Sequence, residues 1–395
     1  MDNRPYSNDT ASNEENWTEE SFGPEEKREA ARLLKRLSEA FGPSGHEDDI
    51  VQIIESECGS FCRIETDSMQ NVYLIPDLKR NTRINQQRNR QEQTINLRDL
   101  KEREFEWVID AHMDEVGFIV KSIHENGTIS MLPVGGWDMK NAAGACFEIR
   151  TDQGESIPVI AVSRPVHFSQ DTKEQKLLIV DAGCTSKQEV EDLGIQCGDF
   201  AVPQTGFEYF SSRNLFKGKA FDDRIGLAAE ILLLRDVART RMASQVLGLA
   251  SAQEEVGERG ALCAVKKIRA RYAICFEGCP ADDTFENPEE ISTRLNCGPM
   301  VRVIDRSNIA DHRMIKRLRT ICKERNIPLQ IAARAGGGTN AAVFAEEDII
   351  PIVIGIPVRY AHSISGFASL NDLLNAVRLA ESLMESMNES MNRIW

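Results

Sequence analysis

No uninterrupted apolar run in this chain approaches the ~18–20 residues needed to cross a bilayer, so a membrane-spanning protein is excluded. The first thirty residues lack the apolar segment of a secretory signal. No two cysteines are spaced CxxC; the ten are scattered, with Cys58/Cys62 and Cys275/Cys279 the nearest pairs. A zinc ribbon and a thioredoxin-like redox site find no support, and free thiols in the cytoplasm are expected. GxSxG is absent, which leaves a nucleophile-elbow hydrolase unsupported. The run GGGTN (336–340) lacks the Lys-Ser/Thr of a phosphate-binding loop and reads as a tight turn near a pocket. Positive charge is also short: 47 Lys and Arg face 62 Asp and Glu, a net charge of −15. Such a surface repels phosphate backbones, so neither nucleic acid nor a membrane is an expected partner.

What remains is a globular composition, 41% apolar and 28% charged, over 395 residues, enough for two to three domains. Residues 1–24 are polar and acidic and read as a disordered tail. Ala30, Leu33, Leu34, Leu37 and Phe41 recur at helical spacing until Gly42-Pro43, and a second helix starts near Glu47. Residues 77–104, rich in Arg and Gln without interleaved aromatics, read as a solvated insertion. From 116 to 205 short runs such as FIVKSI, TISMLPV, CFEIRT, IPVIAVS and KLLIVDAG alternate with glycine breaks, the pattern of a small β-rich domain. On either side, strands alternate with helices. The expectation is an α/β fold: a mostly parallel sheet sandwiched by helices (25–115 and 206–395), with the β-rich domain inserted.

In such folds chemistry gathers where strands end. The polar residues that interrupt or follow apolar runs are few: His112 and Asp114 after WVIDA, Asp222 and Asp223 after GKAF, Glu254 and Glu255 after LGLASAQ, Glu277 after YAICF, and His362 after PVRYA. Singly, each has an ordinary explanation. His112 could be a satisfied core histidine, Asp222-Asp223-Arg224 a helix cap with an ion pair, and Glu254-Glu255 a solvated pair. Jointly they form a set of imidazoles and carboxylates suited to zinc, cobalt or manganese. His46, His124, His167 and His312 fall in expected loops or at helix starts and read as surface residues.

FGPSGHE, AHMDEVGF, LPVGGWD, VDAGCTSKQEVEDLGIQCGD, GKAFDDRIG, QEEVGERGA, FEGCPADD, GGGTNAA and PVRYAHS occur in this order between about residues 27 and 390. With these motifs the chain resembles the tetrahedral aminopeptidases, also called glutamyl or deblocking aminopeptidases, which share the fold of the co-catalytic zinc exopeptidases. Asp222 follows His112 by 110 positions, and the β-rich insert lies between them, a position that argues for this branch over the related carboxypeptidases and deacylases.

The resemblance implies two divalent metal ions per subunit, zinc or cobalt first and manganese next. It assigns Asp222 as the bridging carboxylate, His112 and Glu277 as ligands of one ion, and Glu255 and His362 as ligands of the other. Glu254 would be the general base acting on a metal-bridging water, and Asp114 would orient His112. The implied activity is release of N-terminal residues from short peptides. The implied assembly is a homododecamer built from dimers, with 116–205 as a barrel-like dimerisation domain. The chain departs from the family in having Glu277 and Asn340 where Asp is common, and in longer 1–24 and 77–104 segments. An acyl-amino acid deacylase, a glycosidase and a non-catalytic scaffold are the competing readings.

Overall fold

The structure is a computed structural model and describes residues 22–77, 97–163 and 177–392. Most of the polar tail and of the 77–104 insertion, His167 and the segment 164–176 lie outside the described residues. Two helices open the fold, α1 (Pro24–Glu39) and α2 (Asp48–Cys58), followed by the hairpin β1 (Cys62–Thr66) and β2 (Val72–Pro76). The one-turn α3 (Leu97–Leu100) leads into β3 (Phe105–His112). Next come β4 (Gly117–Ile123), β5 (Thr128–Val134), β6 (Cys146–Arg150), β7 (Ser156–Ala161), β8 (Leu178–Asp181), α4 (Lys187–Asp192) and β9 (Phe200–Pro203). The chain returns through β10 (Glu208–Phe210), β11 (Leu215–Gly218), α5 (Phe221–Val237), β12 (Val246–Ser251), α6 (Arg259–Ala264) and β13 (Ala270–Pro280). It closes with β14 (Met300–Ile304), α7 (His312–Arg325), β15 (Gln330–Ala333), α8 (Ala341–Glu346), β16 (Ile350–Arg359), β17 (Gly366–Ser369) and α9 (Leu370–Asn392).

The large sheet runs β1-β2-β12-β3-β13-β16-β17-β11-β10, with β14 and β15 joined to β16. The expectation of a mostly parallel sheet needs correction, because the sheet is mixed. Its centre is parallel (β12-β3, β3-β13, β13-β16), as is β14-β15. The flanking pairs β1-β2, β2-β12, β16-β17, β17-β11 and β11-β10 are antiparallel, and so is β14-β16. The consecutive pairs β1-β2, β10-β11 and β16-β17 are joined by short turns and can pair only in this way, whereas parallel pairs need a crossover of a dozen residues or more.

Strand alternation explains the core. Trp107, Ile109 and Ala111 of β3 join a cluster with residues of α1, α5 and α9, while Val108 joins a second cluster with residues of α6 and α8. Helix α5 is apolar all round its circumference (Ile225, Leu227, Ala228, Ala229, Ile231, Leu233), as befits a helix enclosed by α1, α9 and the sheet.

Residues between Gly117 and Pro203 form a closed six-stranded barrel, β4-β5-β8-β7-β6-β9, filled by Phe118, Val120, Ile129, Met131, Phe147, Ile149 and Val180. The sixth strand, β9, and helix α4 had no counterpart among the five runs read from sequence. β9 has only four residues, and it is defined by its partners β4 and β6 rather than by a pattern of its own.

Candidate active site

The parallel strands deliver their C-terminal ends to one place. His112 is the last residue of β3, Glu277 lies near the end of β13, and Glu254 and Glu255 follow β12. Asp222 stands at the start of α5, where its backbone and that of Asp223 are not yet helical and their shared peptide bond is cis. His362 lies just beyond β16. Gly278 makes this convergence possible, because a Cβ there would sit 2.5 Å from Phe221 O and 2.7 Å from Asp222 Cα. The barrel reaches the same place: a Cβ on Gly136 would lie 3.1 Å from His362 Nδ1, so the GGWD turn closes one side of the imidazole.

The two oxygens of Asp222 face different imidazoles. Oδ1 is 3.2 Å from His112 Nε2, and Oδ2 is 3.2 Å from His362 Nε2. Glu277 Oε1 and Glu254 Oε2 lie 3.7 and 3.9 Å from His112 Nε2, and Glu255 Oε1 lies 3.0 Å from His362 Nε2. One donor atom from each of His112, Asp222 and Glu255 lies within 4.8 Å of the other two. The seven residues to which the resemblance gives roles therefore lie in one cluster, Asp114 being the seventh. Its Oδ1 is 3.3 Å from His112 Nδ1, an approach bent out of line for a full hydrogen bond. Asp114 is buried and accepts from Ser44 Oγ (2.6 Å), Glu254 N (2.9 Å) and Glu255 N (3.2 Å). It thus ties the β3 end to the loop that carries both glutamates.

The electrostatics are lopsided. Asp114, Asp222, Asp223, Glu254, Glu255 and Glu277 crowd around two imidazoles. Burial pushes up Glu277 and, strongly, Glu254, and neighbouring carboxylates add to both. Burial, reinforced by Asp222, raises Glu255 to about 7. Burial opposes ionisation of Asp222 too, but the His112 and His362 contacts override it and hold this carboxyl far below the usual range. The histidines respond in kind. Burial favours their neutral forms, yet Asp114, Asp222 and Glu277 raise His112, and Asp222 with Glu255 takes His362 to about 11. A buried donor set this short of positive charge fits divalent cations, which would supply the missing charge and accept imidazole and carboxylate together.

Several supporting residues had no role assigned from the sequence resemblance. Asp223, equally open to a capping role, does two things: Oδ1 accepts from Gly226 N (3.0 Å) and Oδ2 from His112 N (3.2 Å). Buried Arg224 gathers chain ends, donating to Met113 O (2.6 Å), Leu37 O (2.7 Å) and Gly42 O (3.0 Å). Lys219 holds both oxygens of Glu115 (2.6 and 2.8 Å). The usable signal was adjacency, since Asp223 and Arg224 follow Asp222, Lys219 lies three residues before it, and Glu115 follows Asp114. Asn340 donates to Asp110 Oδ2 (3.0 Å) and Ser251 Oγ (2.8 Å), beneath His112 rather than toward the ligand cluster. Burial raises Asp110 to about 7, so an amide rather than a second carboxylate at position 340 avoids adding charge there. His46 packs edge-on against Phe41 and Phe200, and His124 bonds Thr128 and Ser130, so neither belongs to the site.

Comparison with known proteins gives the family of the chain. The glutamyl aminopeptidase of Lactococcus lactis subsp. cremoris is 30% identical over 276 residues, covering 68% of this chain and 77% of the relative. An aminopeptidase from the archaeon Desulfurococcus kamchatkensis superposes with a TM-score of 0.80 at 28% identity, over 91% of this chain and 95% of the other. The TET1 peptidase of Pyrococcus horikoshii, described as able to assemble into a tetrahedron or a large octahedral shell, gives 0.74 at 25% identity over 90% and 98%. The sequence model described as M42 glutamyl aminopeptidase matches residues 94–379, which span β3, the barrel and every residue of the cluster. With both likenesses running through the pocket just described, the chain belongs to the M42 glutamyl aminopeptidase family.

Proposed function

We propose that this protein is a metal-dependent aminopeptidase that releases the first residue of short peptides. The observation that carries the reading is the Asp222 carboxylate, with one oxygen toward His112 and the other toward His362. His112 and Glu277 would hold one divalent ion, Glu255 and His362 a second, and Asp222 both. When bound, such a pair supplies Lewis acidity, polarising a carbonyl and acidifying water. Glu254 Oε2, set among these groups, takes the proton of the attacking water and returns it to the leaving amine. Asp114 keeps the His112 ring oriented, the part that an outer carboxylate plays behind a ligating histidine. Zinc or cobalt suits the donor set best, and manganese next.

Removing metal tests the reading and separates it from a glycosidase. Chelation by EDTA is expected to abolish release of free amino acids from a panel of short peptides, and zinc or cobalt to restore it. Full activity in EDTA would refute it. Release from acyl-amino acids but not from peptides would favour a deacylase.

We further read 25–115 with 206–395 as the catalytic domain, its sheet sandwiched by helices, and 116–205 as an inserted dimerisation and assembly domain. Exposed Leu132, Ile160 and Val162 on the barrel support the latter. By analogy with the Pyrococcus horikoshii protein we infer a homododecamer built from dimers. Sedimentation of the native protein is expected to give a twelve-subunit mass; a dimer as the largest species would contradict this. All ten cysteines are free, in keeping with a cytoplasmic location.

A further inference from the structure

Two surfaces outside the barrel take no part in the reaction, and their chemistry is opposite. The first lies on helix α7. Lys316, Arg319 and Lys323 recur at helical spacing along its exposed side above an apolar floor of Val303, Ala310 and Ile315, and these residues line an open groove of about 920 Å³. One carboxylate, Glu324, lies among them. The three cations have no ion-pair partner among the described residues, whereas Arg313 and Arg325 of the same helix pair with Asp311 and Glu385. Like charges at this spacing oppose helix formation, so an acidic surface laid against them relieves a cost already present.

The second surface is the loop that follows β13. Residues 284–290, TFENPEE, are all exposed and carry three carboxylates and no cation. Phe285 is 66% exposed, and Ile309, next to Ala310 of the groove floor in the chain, is 74% exposed; they are the two most exposed large apolar residues among those described. Glu286 and Glu289 have no ion-pair partner among the described residues. Glu290 accepts from Asn287 Nδ2 (3.0 Å), and Arg294 reaches the loop at the Pro288 carbonyl (3.4 Å). The base of the loop is fixed. Asp282 accepts from Ser292 Oγ (2.7 Å) and Thr293 N (2.9 Å), and Arg359 donates to Asp283 (2.7 Å). The acidic loop is thus held in shape ahead of any contact.

Within one chain the two surfaces do not pair. Helix α7 starts beside Tyr272, on which Asp311 and Arg313 act, near the beginning of β13, whereas the loop leaves from Pro280 at the other end of that strand. Eight residues of strand set these points ~26 Å apart at ~3.3 Å per residue. Complementary surfaces that stay apart in one chain are free to meet between copies. A barrel-to-barrel pairing is isologous and closes on itself at two copies. A tetrahedral particle of twelve needs a second, head-to-tail contact that closes in rings of three, each chain giving one surface and receiving the other. Building on the twelve-subunit reading above, we propose that the 284–290 loop of one copy docks on the α7 groove of the next. Phe285 then covers the apolar floor beside Ile309, and Glu286, Glu289 and Glu290 lie along Lys316, Arg319 and Lys323. Exposed ion pairs are individually weak and screened by salt, so the aromatic ring and several pairs act together.

The test sediments the full-length protein beside three charge variants. One reverses the groove (Lys316→Glu, Arg319→Glu, Lys323→Glu), one reverses the loop (Glu286→Lys, Glu289→Lys, Glu290→Lys), and the third carries all six changes. Each reversal alone is expected to leave dimers with unchanged circular dichroism, and the combination to restore twelve subunits. Twelve subunits in the wild type and in both single reversals would overturn the contact while the assembly reading stands, and dimers in the six-residue variant would also overturn it. A wild type no larger than a dimer would overturn both. Cross-linking reads the contact without any substitution. A carbodiimide, which joins touching carboxylates and amines, is expected to link Glu286, Glu289 or Glu290 to Lys316 or Lys323 in species of two or more chain masses on a denaturing gel. Such links confined to single chains, or none at all, would overturn the proposal.

Discussion

Replacing Glu254 by Gln is expected to lower the turnover of peptide hydrolysis by ~10²–10⁴-fold, the usual worth of a positioned general base. Glu254 Oε2 lies 3.9 Å from His112 Nε2, among the other acidic groups of the site. Burial, with Glu277, Glu255 and Asp114 around it, pushes its carboxyl up. Gln keeps the shape and removes one charge from a cluster already short of positive partners, so folding and metal content should be preserved. The Glu254 backbone N–H, which donates to Asp114, is untouched by the change. Steady-state kinetics with parallel metal analysis checks this. A variant with normal metal content and near-normal turnover would remove Glu254 from the reaction.

Asp222→Asn should act on a different step. Asp222 is the only member of the cluster whose two oxygens each approach a different histidine, at 3.2 Å in both cases. Exchanging one oxygen for an amide nitrogen removes a donor and a full charge from both halves of the site. Outer partners of metal ligands are typically worth ~10–100-fold in affinity, and a shared ligand should exceed that. The variant is expected to lose both ions and, with them, measurable activity. Elemental analysis after dialysis against a weak chelator reads the outcome. Retention of both ions would show that Asp222 is not the shared ligand.

The site was more legible in sequence than the sheet around it, for a physical reason. A polar residue at the end of an apolar run is a local anomaly: His112 after WVIDA or Glu277 after YAICF is costly to bury without a partner, and the cost is visible in one short window. The antiparallel flanks carry no such mark. Strands β10, β11 and β17 have three or four residues each, and their pairing is decided by neighbours far along the chain. Asp223 and Arg224 were visible as letters but not as roles, because their partners, His112 N, Leu37 O and Gly42 O, lie more than a hundred residues away. Glu277 Oε1 reaches within 3.7 Å of His112 Nε2.

Anomalous diffraction from crystals grown with zinc, recorded on both sides of the metal's absorption edge, reads the centre of this account without passing through activity. Two peaks are expected, one bounded by His112 and Glu277 and the other by Glu255 and His362, with the Asp222 carboxylate between them. One peak alone, or peaks that leave Asp222 uncoordinated, would contradict a paired metal centre built on these side chains.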